Sequence, residues 1–308
     1  WRRRDMRTRC CRRWRQKWDA ASRVQLKFPD TPLVLAGLFG GPLCIFISTP
    51  LRNALTLASH DADSPACALY SATLQGGFAG GWTGALSPTL ASIPQFCVIG
   101  PFYHFLNDAL GSESVAVVLS GFMETVFTYG SESVNGQMAH NLDQEQAGTG
   151  DQVPLSKPWV PIGPGAGLHM MRNVLSMSGM RILARPCQAA AARLLLPERG
   201  ACLPRGLALV IGDMAATVAS AVLSAPVNQA FQFAVTSNSY LQAGTYERAS
   251  ELLNFFSRTY LVHNAHGEVV GFNPSLQRDL LMRCVYCGTL LCLFCAIERS
   301  AVALWRRR

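Results

Sequence analysis

Six long apolar segments run along the sequence, and each is long enough to cross a lipid bilayer. A transmembrane helix needs about 20 mainly apolar residues, and the segments of this length lie at 32–58, 77–110, 114–138, 165–196, 204–236 and 273–304. Glycine, proline, serine and isolated charges interrupt all six. Such interruptions are typical of helices that pack closely around a polar interior. The pattern predicts an all-α membrane protein with six transmembrane helices, and it disfavours a globular protein built from buried amphipathic helices.

A short motif recurs in the odd-numbered segments. Its three copies lie at 48–53 (STPLRN), 130–135 (GSESVN) and 226–229 (PVNQ). A recurring motif is the sequence mark of a repeat architecture, and each interval has room for two helices and a polar connection. We therefore predict three tandem two-helix repeats, after a basic N-terminal extension at 1–30. The repeats are expected at 31–111, 112–200 and 201–308.

The predicted connections alternate in length. Long polar connections follow the first, third and fifth segments, whereas only a few residues follow the second and fourth. This alternation gives every two-helix unit the same orientation. It also places both ends of the bundle on the side of the short connections.

Composition agrees with a membrane location, because 49% of the residues are hydrophobic and only 15% are charged. The formal net charge of +8 is unevenly spread, since nine of the first 17 residues are Arg or Lys. The basic character therefore belongs mainly to one tail. It does not indicate binding to nucleic acid.

The basic tail has two interpretations. An Arg-rich segment with few acids is typical of a transit-like targeting sequence. Alternatively, its Trp side chains enter the lipid headgroup layer while its Arg side chains bind anionic lipid or an acidic partner subunit. We favour the second interpretation. The expected contact residues are Arg2, Arg3, Arg4, Arg12, Arg13, Trp14 and Trp18.

No pattern in the sequence indicates a metal site or an enzyme. Two CxxC pairs, at 284–287 and 292–295, would normally suggest zinc. On one helix they span roughly 16 Å, so four sulfur atoms cannot surround one tetrahedral ion, and we expect them to pack as small apolar side chains. The Gly-rich run at 161–167 lacks the Gly-Lys-Ser/Thr ending of a phosphate-binding loop. We therefore predict no metal, no cofactor and no enzymatic activity.

Further short motifs lie along the even-numbered segments, at their starts and, in the second segment, also at its middle and near its end. They are 82–84 (WTG) with prolines at 88, 94 and 101, then Arg172, and then 271–274 (GFNP) with Arg278. With the three copies of the first motif, their order and spacing resemble the mitochondrial carrier family along nearly all of the chain after the basic tail. The resemblance implies three two-helix repeats around a cavity and a multi-pass location in the mitochondrial inner membrane. It also implies bound cardiolipin or another phospholipid.

The resemblance further implies two polar networks that close the cavity from opposite sides. In the first network, each copy of the motif supplies a proline, an acid and a base, but no copy here keeps both its acid and its base. We expect an ion pair between Arg52 and Glu132 and a hydrogen bond between Asn135 and Asn228 to remain. The three sets of positions are Pro50, Arg52 and Leu55, then Gly130, Glu132 and Asn135, then Pro226, Asn228 and Phe231.

The second network should contain an aromatic residue, an acid and a base near the end of each even-numbered helix. In the second segment these positions hold Tyr103, His104 and Asn107. The fourth segment has no acid between 188 and 193, and Ala301 replaces the base in the sixth. From the sequence, both networks are expected to be dismantled.

Ionisable side chains inside the predicted segments are candidates for contact with a solute. Such groups are costly at membrane depth unless they are paired, so each is a functional hypothesis by default. They either bind a solute or pair with one another inside a plugged bundle, and the sequence leaves both interpretations open. The candidates are Arg52, Glu124, Arg172, Arg181, Asp213 and Arg278.

Two functions follow from these expectations. The favoured one is a degenerate carrier-like protein that no longer transports, and that serves as a structural accessory subunit of a larger respiratory-type complex. Its partners would be the lipid bilayer and the other subunits of that inner-membrane complex. The alternative is a working solute carrier, an antiporter for an anionic metabolite or nucleotide. The lost networks favour the first function, and the interior charges favour the second.

Overall fold

The computed structural model describes residues 31–75, 77–148, 151–195 and 205–305. The basic extension at 1–30 lies outside these residues, and so do the lipid or partner contacts predicted for Arg2, Arg3, Arg4, Arg12, Arg13, Trp14 and Trp18. The prediction for the tail therefore stays a prediction.

The described residues are almost entirely helical, which confirms the all-α prediction. Six long helical segments are present among them. They are α1 (Thr31–Ala58), α4 (Leu86–Cys97, a π-helical turn at Val98–Phe102, then Tyr103–Leu110), α5 (Glu113–Ala147), α6 (Ala166–Ser178, a π-helical turn at Gly179–Leu183, then Ala184–Leu195), α7 (Arg205–Thr236) and α10 (Pro274–Trp305). A further π-helical turn lies within α1 at Ala36–Gly40.

Shorter elements lie in the connections. These are α2 (Ala66–Thr73), α3 (Gly77–Gly81), α8 (Asn238–Gln242), α9 (Thr245–Tyr260) and an antiparallel hairpin of β1 (Leu261–His263) and β2 (Val269–Phe272). The connection between α5 and α6 has no helix in its described part, which runs from 151 to 165. The long connections of the three repeats therefore differ in structure.

The observed bounds correct two of the predicted segments. The second segment does not run unbroken from residue 77, because a turn at 82–85 separates α3 from α4. The third does not end at 138, because α5 continues through nine further residues to Ala147. Gly130 therefore lies inside a helix and does not mark the end of one.

Three helices are long and apolar enough to cross a membrane: α1, α7 and α10. The other long segments among the described residues do not meet the same criteria of length and hydropathy. The structure is thus compatible with a membrane protein. Six membrane crossings remain a prediction.

The six long segments pack in chain order into a closed ring. Each contacts the next, and α10 returns to contact both α7 and α1. Small residues make the contacts close, because a Cβ placed on Gly41 would lie within 3 Å of the Phe96 ring. The main apolar core joins Phe96, Phe294 and their neighbours, and the two Phe rings are 4.4 Å apart. A closed ring leaves an interior that every long segment can reach.

The turn at 82–85 is held against α1 by a hydrogen bond that Pro50 makes available. Proline lacks an N–H group, so the carbonyl four residues earlier loses its helical partner. That carbonyl belongs to Phe46, and the indole N–H of Trp82 donates to its oxygen at 2.7 Å. This contact fixes the start of α4 beside the middle of α1.

Candidate functional site

A small interior cavity of about 50 Å³ lies inside the ring of long segments. That volume holds only a few water molecules. Its wall combines apolar side chains with five charged ones. The charged residues are Arg52, Glu124, Glu132, Arg172 and Arg283.

Glu132 joins two arginines from different helices. Its carboxylate lies 2.8 Å from Arg172 of α6 and 3.7 Å from Arg52 of α1. All three residues are buried, with exposed fractions of 5–6%. A carboxylate shared between two buried guanidinium groups holds α1, α5 and α6 together. The expected pair between Arg52 and Glu132 is therefore present, and Arg172 extends it.

Polar and aromatic partners complete this cluster. The Arg52 Nη2 group donates to the Tyr286 hydroxyl at 3.0 Å, which ties α1 to α10. The Arg172 Nη1 group donates to Asn228 Oδ1 at 3.3 Å, which ties α6 to α7. The Arg172 guanidinium also lies 5.2 Å from the centre of the Phe231 ring. Phe231 therefore offers its ring face to a cation at the position where the resemblance expects a base.

The expected hydrogen bond between Asn135 and Asn228 is not formed. Asn135 donates instead to Asn53 Oδ1 at 3.2 Å and to the Thr83 carbonyl at 3.1 Å. It thereby fixes the turn before α4. Asn228 bonds to Arg172, as described above. Each Asn joins a neighbouring repeat, but they do not join each other.

Gly130 admits a second segment of chain against α5. A Cβ placed on this residue would lie 2.7 Å from the carbonyl oxygens of Pro158 and Val160, and 2.8 Å from that of Lys157. The Tyr129 hydroxyl donates to the carbonyl of Pro164 in the same connection at 2.7 Å. The connection at 157–164 therefore packs tightly against α5. At Gly130, where the resemblance expects a proline that kinks the helix, α5 instead contacts this connection.

A second ion pair, separate from the Glu132 cluster, joins helices across the bundle. Arg181 of α6 lies 3.1 Å from Glu298 of α10, and its Nη2 group also donates to the Ile99 carbonyl of α4 at 2.7 Å. The guanidinium lies 5.1 Å from the Tyr103 ring centre. Arg181 and Ile99 both belong to π-helical turns, which occur frequently at functional sites. This Arg181 cluster joins the three even-numbered helices.

The ion pairs correct the expectation that both polar networks are dismantled. Pairs cross the bundle at two levels. Arg52 and Glu132 occupy positions that the resemblance implies, whereas their partner Arg172 and the Arg181 of the second level do not. His104 is exposed and contacts the Tyr103 ring edge, whereas the Asn107 carbonyl accepts the N–H of Gly111. Of the second set of predicted gate residues, only Tyr103 contacts the Arg181 cluster.

Three predicted cavity residues do not line the cavity. Arg181 belongs to the cluster just described. Asp213 pairs with Arg299 and accepts from Gln188 at the interface of α6, α7 and α10. Arg278 donates to the carbonyls of Ala58, Asp61 and Ser64, and so fixes the connection after α1. Arg52, Glu124 and Arg172 do line the cavity.

Two residues of the cavity wall, Arg283 and Gln95, were not predicted from the sequence. Arg283 of α10 is 5% exposed, lines the cavity, and lies 5.3 Å from the centre of the Tyr286 ring. Gln95 of α4 donates to Glu124 Oε1 at 2.8 Å. A signal for Arg283 existed, because an Arg between apolar residues of a predicted membrane span is a functional hypothesis by default.

Comparison with models of known protein families finds no match, and neither does comparison with curated protein sequences. The candidate site therefore stands on its own geometry. A buried wall with three arginines and two glutamates favours a small polar occupant of negative charge.

Proposed function

We propose that this protein is a carrier-like membrane protein that binds a small anionic solute in its interior and moves it across the membrane. One observation carries the proposal: the cavity holds three buried arginines against two glutamates. With both glutamates ionised, the wall has one excess positive charge. An anion entering the cavity would offset that charge, which is costly to bury alone.

The proposal includes six membrane crossings in three tandem repeats. The ring of six segments and the alternating connections support it, together with the resemblance to mitochondrial carriers. The low hydropathy of α5 is compatible with a membrane crossing, because many of its polar side chains are buried in the protein. Among them are Ser120, Thr125 and Thr128. The location in the mitochondrial inner membrane and the bound cardiolipin rest on the resemblance alone.

The shared carboxylate supports movement as well as binding. Glu132 has a close partner in Arg172 and a looser one in Arg52. A solute anion that takes over one of these arginines leaves the other available to Glu132. Transport needs two arrangements of similar free energy, and an exchange of partners around one carboxylate would supply them.

Transport by the purified protein in liposomes tests this function. Vesicles loaded with unlabelled organic anions should take up labelled ones, and Arg52→Lys should reduce uptake because lysine cannot hold Tyr286 and Glu132 with one planar group. Arg185→Lys is the matched control, since Arg185 makes an exposed pair with Glu113. Absence of uptake of every organic anion by the wild-type protein would contradict the proposal.

A structural role is the second candidate, and it is the one that the sequence alone favours. The close packing of residues 157–160 against Gly130 supports this role, because it fixes α5 to the connection that follows it. A subunit without transport needs a permanent partner. A native gel of source membranes in mild detergent tests this role: comigration with one large complex in stoichiometric amount would support it, and migration as a free monomer would contradict it.

A further inference from the structure

Arg283 is a buried cation whose charge no described carboxylate balances. Four of the described arginines are 5–8% exposed: Arg52, Arg172, Arg278 and Arg283. The first two pair with Glu132, and Arg278 pairs with Asp279. Arg283 forms no ion pair with a carboxylate of the described residues. A guanidinium group buried without an anion is costly, so a partner from outside the chain would stabilise it.

The surroundings of Arg283 supply an aromatic contact but no negative charge. Its guanidinium group lies 5.3 Å from the centre of the Tyr286 ring. The ring face attracts a cation, yet it carries no charge that offsets the cation. None of the Arg283 nitrogen atoms donates a hydrogen bond within the described part of the chain, and the side chain lines the interior cavity. The guanidinium group therefore borders the cavity, where an occupant can contact it.

Glu124 does not supply the negative charge. It is the second carboxylate of the cavity wall, and it accepts a hydrogen bond from Gln95 at 2.8 Å. It forms no ion pair with Arg283 or with any other described cation. Even with both glutamates ionised, the wall keeps one excess positive charge, because three arginines face them. One monovalent anion beside Arg283 would balance the wall.

The cavity volume limits this anion to a very small one. About 50 Å³ holds only a few water molecules. A dicarboxylate or a nucleotide does not fit, whereas a halide ion is little larger than a water molecule. Water alone would leave the excess charge of the wall in place, and a halide ion offsets it. We propose that the cavity binds one chloride ion on the Arg283 guanidinium group.

The inference goes beyond the proposed function. An organic anion needs a wider arrangement of the ring than this closed one, whereas the chloride site belongs to the closed arrangement itself. A chain that no longer transports would bind the ion equally well. The proposed function and the chloride site can therefore fail independently.

Thermal unfolding of the wild-type protein in detergent tests the site. Sodium chloride is compared with sodium gluconate at equal concentration, so that the screening of surface charges is the same. Gluconate is an organic anion too large for the cavity. Chloride at about fivefold its dissociation constant should raise the unfolding temperature by about 2–4 °C, because a ligand that binds only the folded protein stabilises it. Equal unfolding temperatures in the two salts would overturn the inference.

Variants at position 283 assign the effect to one side chain. Arg283→Gln should abolish the difference between the two salts, whereas Arg283→Lys keeps the charge and should retain a difference. In gluconate, Arg283→Gln should unfold at the wild-type temperature or above it, because it removes a buried charge that has no anion. Arg185→Gln is the control, since Arg185 makes an exposed pair with Glu113, and it should show the full difference. A difference that survives Arg283→Gln would overturn the inference.

Direct binding and uptake together separate this inference from the proposed function. Radiolabelled chloride should bind the wild-type protein with a stoichiometry of one ion per chain, and absence of binding would overturn the inference whatever the variants show. Uptake of organic anions without any effect of chloride would overturn the inference alone. Chloride binding without uptake of any organic anion would support the inference and contradict transport.

Discussion

Single residues determine how the interior charges are held, and Glu132 is the most consequential of them. It is the only described carboxylate that pairs with Arg52 or Arg172. We expect Glu132→Gln to reduce the free energy of unfolding by about 3–5 kcal/mol, because it leaves two buried guanidinium groups without a carboxylate. Thermal unfolding in detergent measures the change.

The matched control is Glu113→Gln. Glu113 pairs with Arg185 at 2.6 Å, but the Arg185 side chain is 76% exposed. An exposed pair contributes only about 0–1 kcal/mol. If both variants unfolded at the same temperature, Glu132 would not be the link between the two arginines that the structure describes.

Gly130 is a second residue at which a small change has a large expected effect. A methyl group there would meet the carbonyl oxygens of Lys157, Pro158 and Val160 at less than 3 Å. We expect Gly130→Ala to destabilise the protein by about 1–3 kcal/mol, although Ala is the better helix former. Thermal unfolding and protease cleavage within 151–165 are the measurements, since displacement of the connection would expose it.

Gly167→Ala provides the comparison for Gly130→Ala. Gly167 lies in the first turn of α6, and a Cβ added to it would meet no atom within 4 Å. Alanine there should leave stability unchanged or increase it by up to about 1 kcal/mol. Equal effects of the two substitutions would show that the connection does not press on α5.

At the scale of elements, close helix packing depends on glycines at particular crossings. α6 and α7 touch where a Cβ on Gly212 would meet the Cα atom of Gln188. We expect Gly212→Ala to push the helices apart and to cost about 1–3 kcal/mol, because a backbone atom cannot move aside as a flexible side chain can. Thermal unfolding in detergent tests this expectation. Gly206→Ala, in open space on the same helix, should have no such cost, and a similar loss of stability in that variant would contradict the packing argument.

The elements also show which features can be predicted from sequence. Hydropathy and length predicted six long helices, because apolar runs need buried or lipid-facing surroundings. The same criterion ended the third segment at 138, since 139–147 (AHNLDQEQA) is polar. Those residues are nonetheless helical in α5, and several of them, such as Leu142 and Gln144, are good helix formers. Hydropathy marks burial, and it is a poor guide to where a helix ends beyond the apolar region.

Long-range pairing was the least predictable feature. The pair of Arg181 and Glu298 joins residues 117 positions apart. Glu298 stands three residues before Ala301, where the family resemblance implies an acid, but Arg181 stands at no implied gate position. Arg283 was missed for a similar reason, because no motif contains it. Arg52 with Glu132 was predicted, since both occupy repeated positions. Recurrence within the chain therefore predicts contacts between repeats, whereas unique positions have to be placed by the fold.

For the whole molecule, the number of membrane crossings decides between a six-span carrier-like bundle and a protein with only three apolar spans. With six crossings, the connection after α1 and the short turn before α5 lie on opposite sides of the membrane. Cys67 is exposed in the first of these regions, and Ser114 is exposed beside the second. We compare a variant that keeps Cys67 as its single cysteine with a cysteine-free variant carrying Ser114→Cys.

A membrane-impermeant maleimide should label one of these variants in sealed membrane vesicles and the other only after permeabilisation. The physical reason is that α4 alone carries the chain from one side to the other between the two sites. The described part of α4 includes buried polar side chains such as Ser92 and Gln95, so its modest hydropathy reflects the face turned towards the cavity. Labelling of both cysteines from the same side would show that α4 does not cross, and it would remove the enclosed interior on which the anion site depends.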